Sequence, residues 1–426
     1  MRRRLLSLLL CMASCLPAAW RTAYFVDPNN QIPTPLWQTV ANIPWQVYTH
    51  IIHFKTWPTT AGALCNLCFT VSSSVISTMH SHNVKVLMGV GDNDTDYSAF
   101  PTAVATPTPR AALVNAIVTA ITSNGYDGVD LDWEVNVNAT NYNTFISDLR
   151  LALTNAAVMN PPPLGASSYL ITTAMGDFSS LPTVAAASIA YIDMVHVMDY
   201  DFDGGAGGPS VNKTWYNAPQ LAGSSGLEAS DVRVAAFHTA GIVGNSKLSL
   251  GIPMYGRQWN GFTAALTADP AGLGTTIYFR DLQALGTYLP GNLHYDTVYQ
   301  SDYLADIGGT KWYSFTGAST IKQIVLNRAS GGYGGTFTFS LDDEYINSAT
   351  TMATKSPLSY ALAQAGGGIT WTIQTASCTG IVNCYSPVSV ANVNAALAAS
   401  SCGDTIRVEA GAQASITSAA TVLQYA

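Results

Sequence analysis

From about residue 20 to residue 365 two hydrophobic patterns take turns along the chain. One is a short run that is apolar at nearly every position, and the other spaces apolar residues three and four apart over longer stretches. The short runs number eight: "TAYFV" from Thr22, "THIIHF" from Thr49, "VKVLMGV" from Val84, "GVDLDW" from Gly128, "YLITTAM" from Tyr169, "DMVHVMD" from Asp193, "LSLGIPM" from Leu248 and "GTFTFSL" from Gly335. Runs so short and so uniformly apolar fit strands of a parallel sheet, buried on both faces. The longer stretches fit crossover helices. "PRAALVNAIVTAITSNG" opens at Pro109, sets Leu113, Ile117 and Ile121 on one face and stops at Gly125, as helix start and stop signals predict. A second helix puts Tyr142, Phe145, Leu149 and Leu153 on one face. Strands alternating with helices eight times over predict the α/β class and a (β/α)8 TIM barrel, whose active site lies at the C-terminal ends of the strands.

Two regions break the rhythm. Residues 259–316 are long, aromatic-rich and interrupted by Gly and Pro, which predicts an inserted α+β subdomain ahead of a last helix, "TIKQIVLNRAS". After "AQAGGGITW" the composition shifts again, so 20–365 reads as the barrel and 366–426 as a linker and a short β-rich C-terminal tail. In that tail "VANVNAALAAS" reads as a short helix and "DTIRVEAG" as a strand, weakly resembling the opening of a parallel β-helix. The chain begins "MRRRLLSLLLCMASCLPAAW", three arginines before an apolar run, and residues 1–19 therefore read as a secretory signal peptide. The run is too short to span a bilayer. "MASC" also loosely resembles a lipoprotein cleavage site, with Cys15 as the lipid carrier. The expectation is a secreted, extracellular monomer with no membrane span.

Composition narrows the partners. Only 10% of the residues are charged, against about 25% in an average chain. With 18 basic and 26 acidic residues, net −8, there is no electrostatic footprint for nucleic acid or anionic lipid. A neutral, hydroxyl-rich ligand suits this surface better. Without Cys11 and Cys15 five cysteines remain, an odd number for an oxidising compartment. Disulfide bonds Cys65–Cys68 and Cys378–Cys384 are expected, with Cys402 left over.

Against so few charges, "YDGVDLDWEV" from Tyr126 stands out. Asp130, Asp132 and Glu134 alternate along a strand, so they share one face, with Glu134 nearest the C-terminal mouth. Like charges so close push at least one pKa upward and keep a proton ready for a general acid. A divalent metal site and a structural carboxylate cluster are the other readings of the same residues. A metal site would recruit further acidic ligands, and Asp201 is the one obvious candidate.

"DGVDLDWE" resembles the DGxDxDxE signature of glycoside hydrolase family 18, the chitinase family. "VMDYDF" from Val197 is similar to its MxYD strand, "LGIPMYGRQW" from Leu250 to its LGIPxYGRxW strand, and "YGGTFTFSLDDE" from Tyr333 to its final GGxxxWSxDxDD strand. "HYDTVYQSDYLA" from His294 resembles part of the family's inserted subdomain. The resemblance implies that Glu134 is the acid that protonates the glycosidic oxygen, while the substrate's 2-acetamido carbonyl serves as nucleophile. Asp132 would orient that acetamido group, Asp130 would share a proton with Asp132, and Tyr200 would donate to the acetamido oxygen. Met198, Asp201, Tyr255, Arg257 and Phe339 would line the sugar subsites. Trp259 reads either as a sugar platform or as the root of the inserted subdomain, and His196 as a core residue.

Two departures accompany the match. Where the family has SxGG and then an aromatic, this chain has Gly89, Val90, Gly91, Asp92 and Asn93. Its last-strand Trp is Phe339 here, which keeps a stacking face and loses the indole donor. Both weaken the expected grip on crystalline chitin. The implied function is a secreted, retaining chitinase-like glycosidase acting on β-1,4-linked N-acetylglucosamine in chitin or its oligomers, with no cofactor and no metal. An N-acetylglucosaminidase acting on peptidoglycan or N-glycan cores shares the acetamido requirement. A non-catalytic chitin-binding lectin is the third reading, and Glu134 speaks against it because such lectins generally lack the acid.

Overall fold

The computed structural model describes residues 19–27, 38–65, 71, 73–93, 95–176, 180–203, 212–269, 274–305, 308, 310–366, 370–373, 384–385 and 405–408. Strands β1 (Trp20–Val26), β2 (His50–Thr56), β3 (Lys85–Gly91), β4 (Gly128–Asp132), β5 (Leu170–Met175), β6 (Met194–Val197) and β7 (Leu248–Pro253) follow one another around a barrel. A last strand, Gly335–Phe339, closes it between β7 and β1, and every pairing is parallel. These are the eight runs singled out by hydrophobic pattern.

Side chains that point outward join one large core with the surrounding helices, whereas Tyr24, Ile52, Phe54, Leu87, Met198, Tyr200 and Phe337 fill the barrel itself. The helix expected from Pro109 spans Pro107–Asn124 and starts two residues earlier. Proline is tolerated throughout a first turn, because the N–H it lacks would have no partner there. Gly125 ends it in the left-handed conformation, φ 79°, with its N–H on Ile121 O. Helix Ala139–Met159 buries Tyr142, Phe145, Leu149 and Leu153, and Asn138 caps its N-terminus by accepting from Asn141 N.

The insert is a five-stranded antiparallel sheet: β8 (Tyr255–Asn260), β9 (Thr275–Tyr278), β10 (Leu293–Asp296), β11 (Ser301–Ala305) and β12 (Lys311–Phe315), with helix Phe279–Gln283 between β9 and β10. It starts earlier than residue 259. The stretch "LGIPMYGRQW", read above as one strand, is therefore two strands in two sheets that meet at Met254. Pro253 has no N–H for a ladder, and Met254 N turns to Phe339 O at 2.7 Å. The closing barrel strand thus becomes β13. In the tail, Thr370–Ile373, Cys384–Tyr385 and Thr405–Val408 pair in parallel.

Several expectations fall outside the described residues: the signal segment with Cys15, the helix "VANVNAALAAS", and Cys68, Cys378 and Cys402. Among the described residues no helix is long and apolar enough to cross a membrane.

The interior holds many ionisable groups. Burial pushes Asp130, Asp343 and Glu344 up to about 7 and Asp92 up to about 6, while it lowers His50 and His196 to about 3. The four carboxyls stay protonated in the folded chain where unfolded carboxylates, with pKa roughly 4, have ionised. Their stabilising contribution is complete below about pH 4 and is lost as pH rises through 7. The two imidazoles act oppositely, because below roughly pH 6.5 only the unfolded chain protonates them. Four groups outweigh two, so a calorimetric melting temperature should be higher at pH 5 than at pH 8. An equal or lower value at pH 5 would contradict this balance.

Candidate active site

β4 carries Asp130 and Asp132 into the barrel and sends Leu131 and Trp133 outward. Asp130 is fully buried and accepts from Tyr24 Oη at 2.8 Å and from Thr172 Oγ1 at 2.5 Å. Desolvation outweighs these donors and, with the nearby Asp132 charge, holds its carboxyl up at about 7. Tyr24 and Thr172 come from β1 and β5. Neither was picked out from the sequence. The available signal was polar residues at barrel-facing positions of otherwise apolar strands.

Asp132 is the last residue of the strand, and Glu134 lies beyond it rather than on the ladder. Trp133 anchors the turn from outside. Its ring stacks on Phe100 at 4.6 Å, and its indole N–H donates to Val135 O at 2.7 Å. From the end of β3, Asp92 Oδ2 accepts from the backbone N–H of Glu134 at 2.8 Å and of Val135 at 3.1 Å. The Glu134 side chain hydrogen-bonds Asp132. Burial first, then the charges of Asp132 and Asp92, push the Glu134 carboxyl well above the usual carboxylate range, while Lys55 pulls the other way. Lys55 Nζ stands 4.0 Å from Asp132 Oδ2. Asp92 and Lys55 are the second pair of site residues that the reading of candidate sites missed.

The segment after β6 supplies the opposite wall. Met198 and Tyr200 are buried, and Arg233 donates to both of their carbonyl oxygens. Gly251 of β7 makes room for them: a Cβ there would sit 2.9 Å from Asp199 N and 3.1 Å from a Tyr200 ring carbon. Burial and the charges of Asp132, Asp201 and Glu134 raise the Tyr200 phenol well above its ordinary value, so it is a hydrogen-bond donor at any working pH. Phe339 is only half-buried. Its ring lies 5.4 Å from Tyr24 and 6.3 Å from Tyr200, nearly parallel to the latter.

Asp201 has φ 62°. Tyr255 Oη donates to it at 2.9 Å, Arg257 donates to both Asp201 and Thr276, and Arg257 Nε pairs with Asp203 at 3.2 Å. Arg257 was expected to offer its donors to a sugar. They are aimed at protein groups instead, and the residue fixes Asp201. Breaking such a buried pair costs about 3–5 kcal/mol. Trp259 corrects the platform reading. It is 2% exposed and packs on Trp312 at 4.9 Å, in a cluster with Phe202, Trp215 and Tyr216 that roots the insert. His196 is a core residue, wholly buried beside Phe337.

The carboxylates do not converge on one point as metal ligands do. Both oxygens of Asp130 accept from hydroxyls, and Asp92 Oδ2 is turned to two amides. What the arrangement offers is one proton-bearing carboxyl at the mouth, a carboxylate against it, and a phenol donor opposite.

Residues 23–344 match the sequence model of glycosyl hydrolases family 18. Chitinase A1 of Niallia circulans is 28% identical over 295 residues, which cover 62% of this chain and 41% of that relative. The chain thus spans less than half the length of such a curated relative. Among solved structures, class V chitinase from Nicotiana tobaccum superposes with TM-score 0.66 at 18% identity, covering 82% of this chain and 99% of that one. The chitinase-like agglutinin RobpsCRA from Robinia pseudoacacia gives TM-score 0.65 at 20% identity, covering 80% and 99%.

Proposed function

The chain belongs to glycosyl hydrolases family 18, and from that premise we propose that it is a secreted chitinase-like glycosidase that cleaves β-1,4-linked N-acetylglucosamine with retention, using the substrate's acetamido group. The observation that carries this reading is that Asp132, whose charge acts most strongly on Glu134, ends the same strand just before it. Retaining enzymes with a carboxylate nucleophile separate their two carboxyls by about 5–5.5 Å, and inverting ones by about 6.5–9.5 Å, to work from opposite faces of the sugar. Asp132 comes from the same strand end as the acid, two residues before it, whereas a carboxylate nucleophile works from the opposite face of the sugar. Asp92 does not replace the missing nucleophile, since its Oδ2 is held by two amides and its Oδ1 is buried. A nucleophile carried by the substrate removes the difficulty.

Glu134 then delivers its proton to the leaving oxygen. As the acetamido oxygen attacks the anomeric carbon, positive charge grows on the resulting five-membered ring, and Asp132 stabilises it. Tyr200 donates to the same acetamido oxygen and turns it toward the carbon. Asp130, held by Tyr24 and Thr172, takes up part of the proton that Asp132 and Glu134 exchange. Met198 and Phe339 floor the subsite, and Asp201, fixed by Tyr255 and Arg257, borders it.

The test is product stereochemistry. NMR of N-acetylglucosamine oligomers incubated with the protein should show the β-anomer first. Release of the α-anomer first would refute retention. Tight binding without cleavage would favour a lectin, the reading that the similarity to a plant agglutinin keeps open.

A further inference from the structure

We propose that Asp92 is a positioning residue for Glu134, gripping the backbone on both sides of the acid, and that Lys55 is the counter-charge that sets when the acid lets go of its proton. The proposal deepens the glycosidase reading and rests on Glu134 being its acid. Asp92 follows β3 and is 5% exposed. One oxygen accepts from two consecutive amides, 134 and 135, and its own N–H donates to Asp132 O at 3.1 Å. Through one residue the end of β3 is thus tied to the main chain of the acid and of its carboxylate neighbour. The other oxygen, Oδ1, is buried with no hydrogen-bond partner among the described residues. A buried, half-satisfied carboxylate is costly, and such a feature is expected where a chain accepts that cost for function.

Lys55 reaches the cluster from β2. The Cδ of its stem packs where a Cβ on Gly91 would come within 2.9 Å, so the glycine before Asp92 makes room for the lysine. The ammonium lies 5.1 Å from the Phe54 ring centroid and 4.0 Å from Asp132. The charged and titratable groups facing Glu134 are therefore Asp132 from β4, Asp92 from β3, Lys55 from β2 and Tyr200 from the segment after β6. Asp92 faces the same Asp132 and Lys55. Asp92 titrates near 6, and its negative charge raises Glu134 further, whereas Lys55 lowers both. As pH rises Asp92 ionises, and its charge helps Glu134 to keep its proton.

Three variants separate grip from charge. Asp92→Asn keeps an acceptor oxygen for the two amides and removes the charge, Asp92→Ala removes both, and Lys55→Met removes the opposing cation. With an N-acetylglucosamine tetramer, the alkaline limb of kcat/KM should move down by about one pH unit in Asp92→Asn and up by a similar amount in Lys55→Met. Asp92→Ala should lose about 10²-fold in kcat at the optimum, because the acid is no longer held in place, while Asp92→Asn recovers most of it. The ¹³C shift of the Glu134 carboxyl, identified by its loss in Glu134→Gln, is titrated in the same proteins. It should move in the same two directions. Because that titration needs no turnover, inactivity of the wild type on the tetramer would defeat the glycosidase reading and leave this test standing. Coincident ¹³C titration curves, or an Asp92→Ala protein with undiminished kcat, would overturn the proposal.

Discussion

Glu134→Gln should lose about 10³-fold or more in kcat on N-acetylglucosamine oligomers while binding them about as tightly as the wild type. General acid catalysis alone contributes typically 10²–10⁴-fold. The amide keeps the shape and cannot release a proton. The local backbone should survive, because Asp92 holds the N–H groups of residues 134 and 135 and not the side chain. Packing of Trp133 on Phe100 is likewise untouched. Removing a carboxyl that burial and two neighbouring charges oppose should leave the melting temperature at pH 8 unchanged or raised. The pH profile gives the assignment its sharpest check. Wild-type activity should fall as pH rises through the raised pKa of Glu134, and residual activity in Glu134→Gln should not follow that limb. The readouts are steady-state kinetics and calorimetric titration with oligomers. An identical alkaline limb in both proteins would remove Glu134 from the acid's role.

The barrel was legible in the sequence because its signal is local. A strand buried on both faces must be apolar at consecutive positions, and a crossover helix must carry a stripe, so each element declares itself within its own residues. The carboxylate run was legible for a related reason: charges are scarce in this chain, and three on alternate positions need a common explanation. What escaped was whatever depends on two strands distant in sequence. Tyr24 and Thr172 matter because β1 and β5 both send a hydroxyl to Asp130. Lys55 and Asp92 matter because β3 runs beside β4 and β2 beside β3, which brings both to the end of β4. Asp92 was visible only as a departure from a glycine pattern. Trp259 illustrates the converse error. An aromatic residue near the mouth of a barrel looks like a sugar platform until Trp312, on the neighbouring strand β12, covers it.

Asp132→Asn should also be strongly damaging, lowering kcat by about 10²-fold through loss of an electrostatic contact that strengthens in the transition state. Its effect has two parts with separate signatures. Asparagine cannot neutralise the positive charge that develops as the acetamido oxygen closes on the anomeric carbon, and this loss is the same at every pH. Asp132 is also the first charge that holds Glu134 protonated, so its removal lets the acid ionise earlier and the alkaline limb moves to lower pH. A carboxylate acting only as a structural charge would shift the limb without the loss that is the same at every pH. A carboxylate acting as covalent nucleophile would produce a far larger loss, and added azide would restore turnover as a glycosyl azide of inverted configuration. In the scheme argued here azide rescues nothing in Asp132→Asn, because the nucleophile belongs to the substrate, and whatever product forms is still the β-anomer. Kinetics across pH, with and without azide, therefore decide whether the carboxyl beside the acid forms a bond to the sugar or supports the group that does.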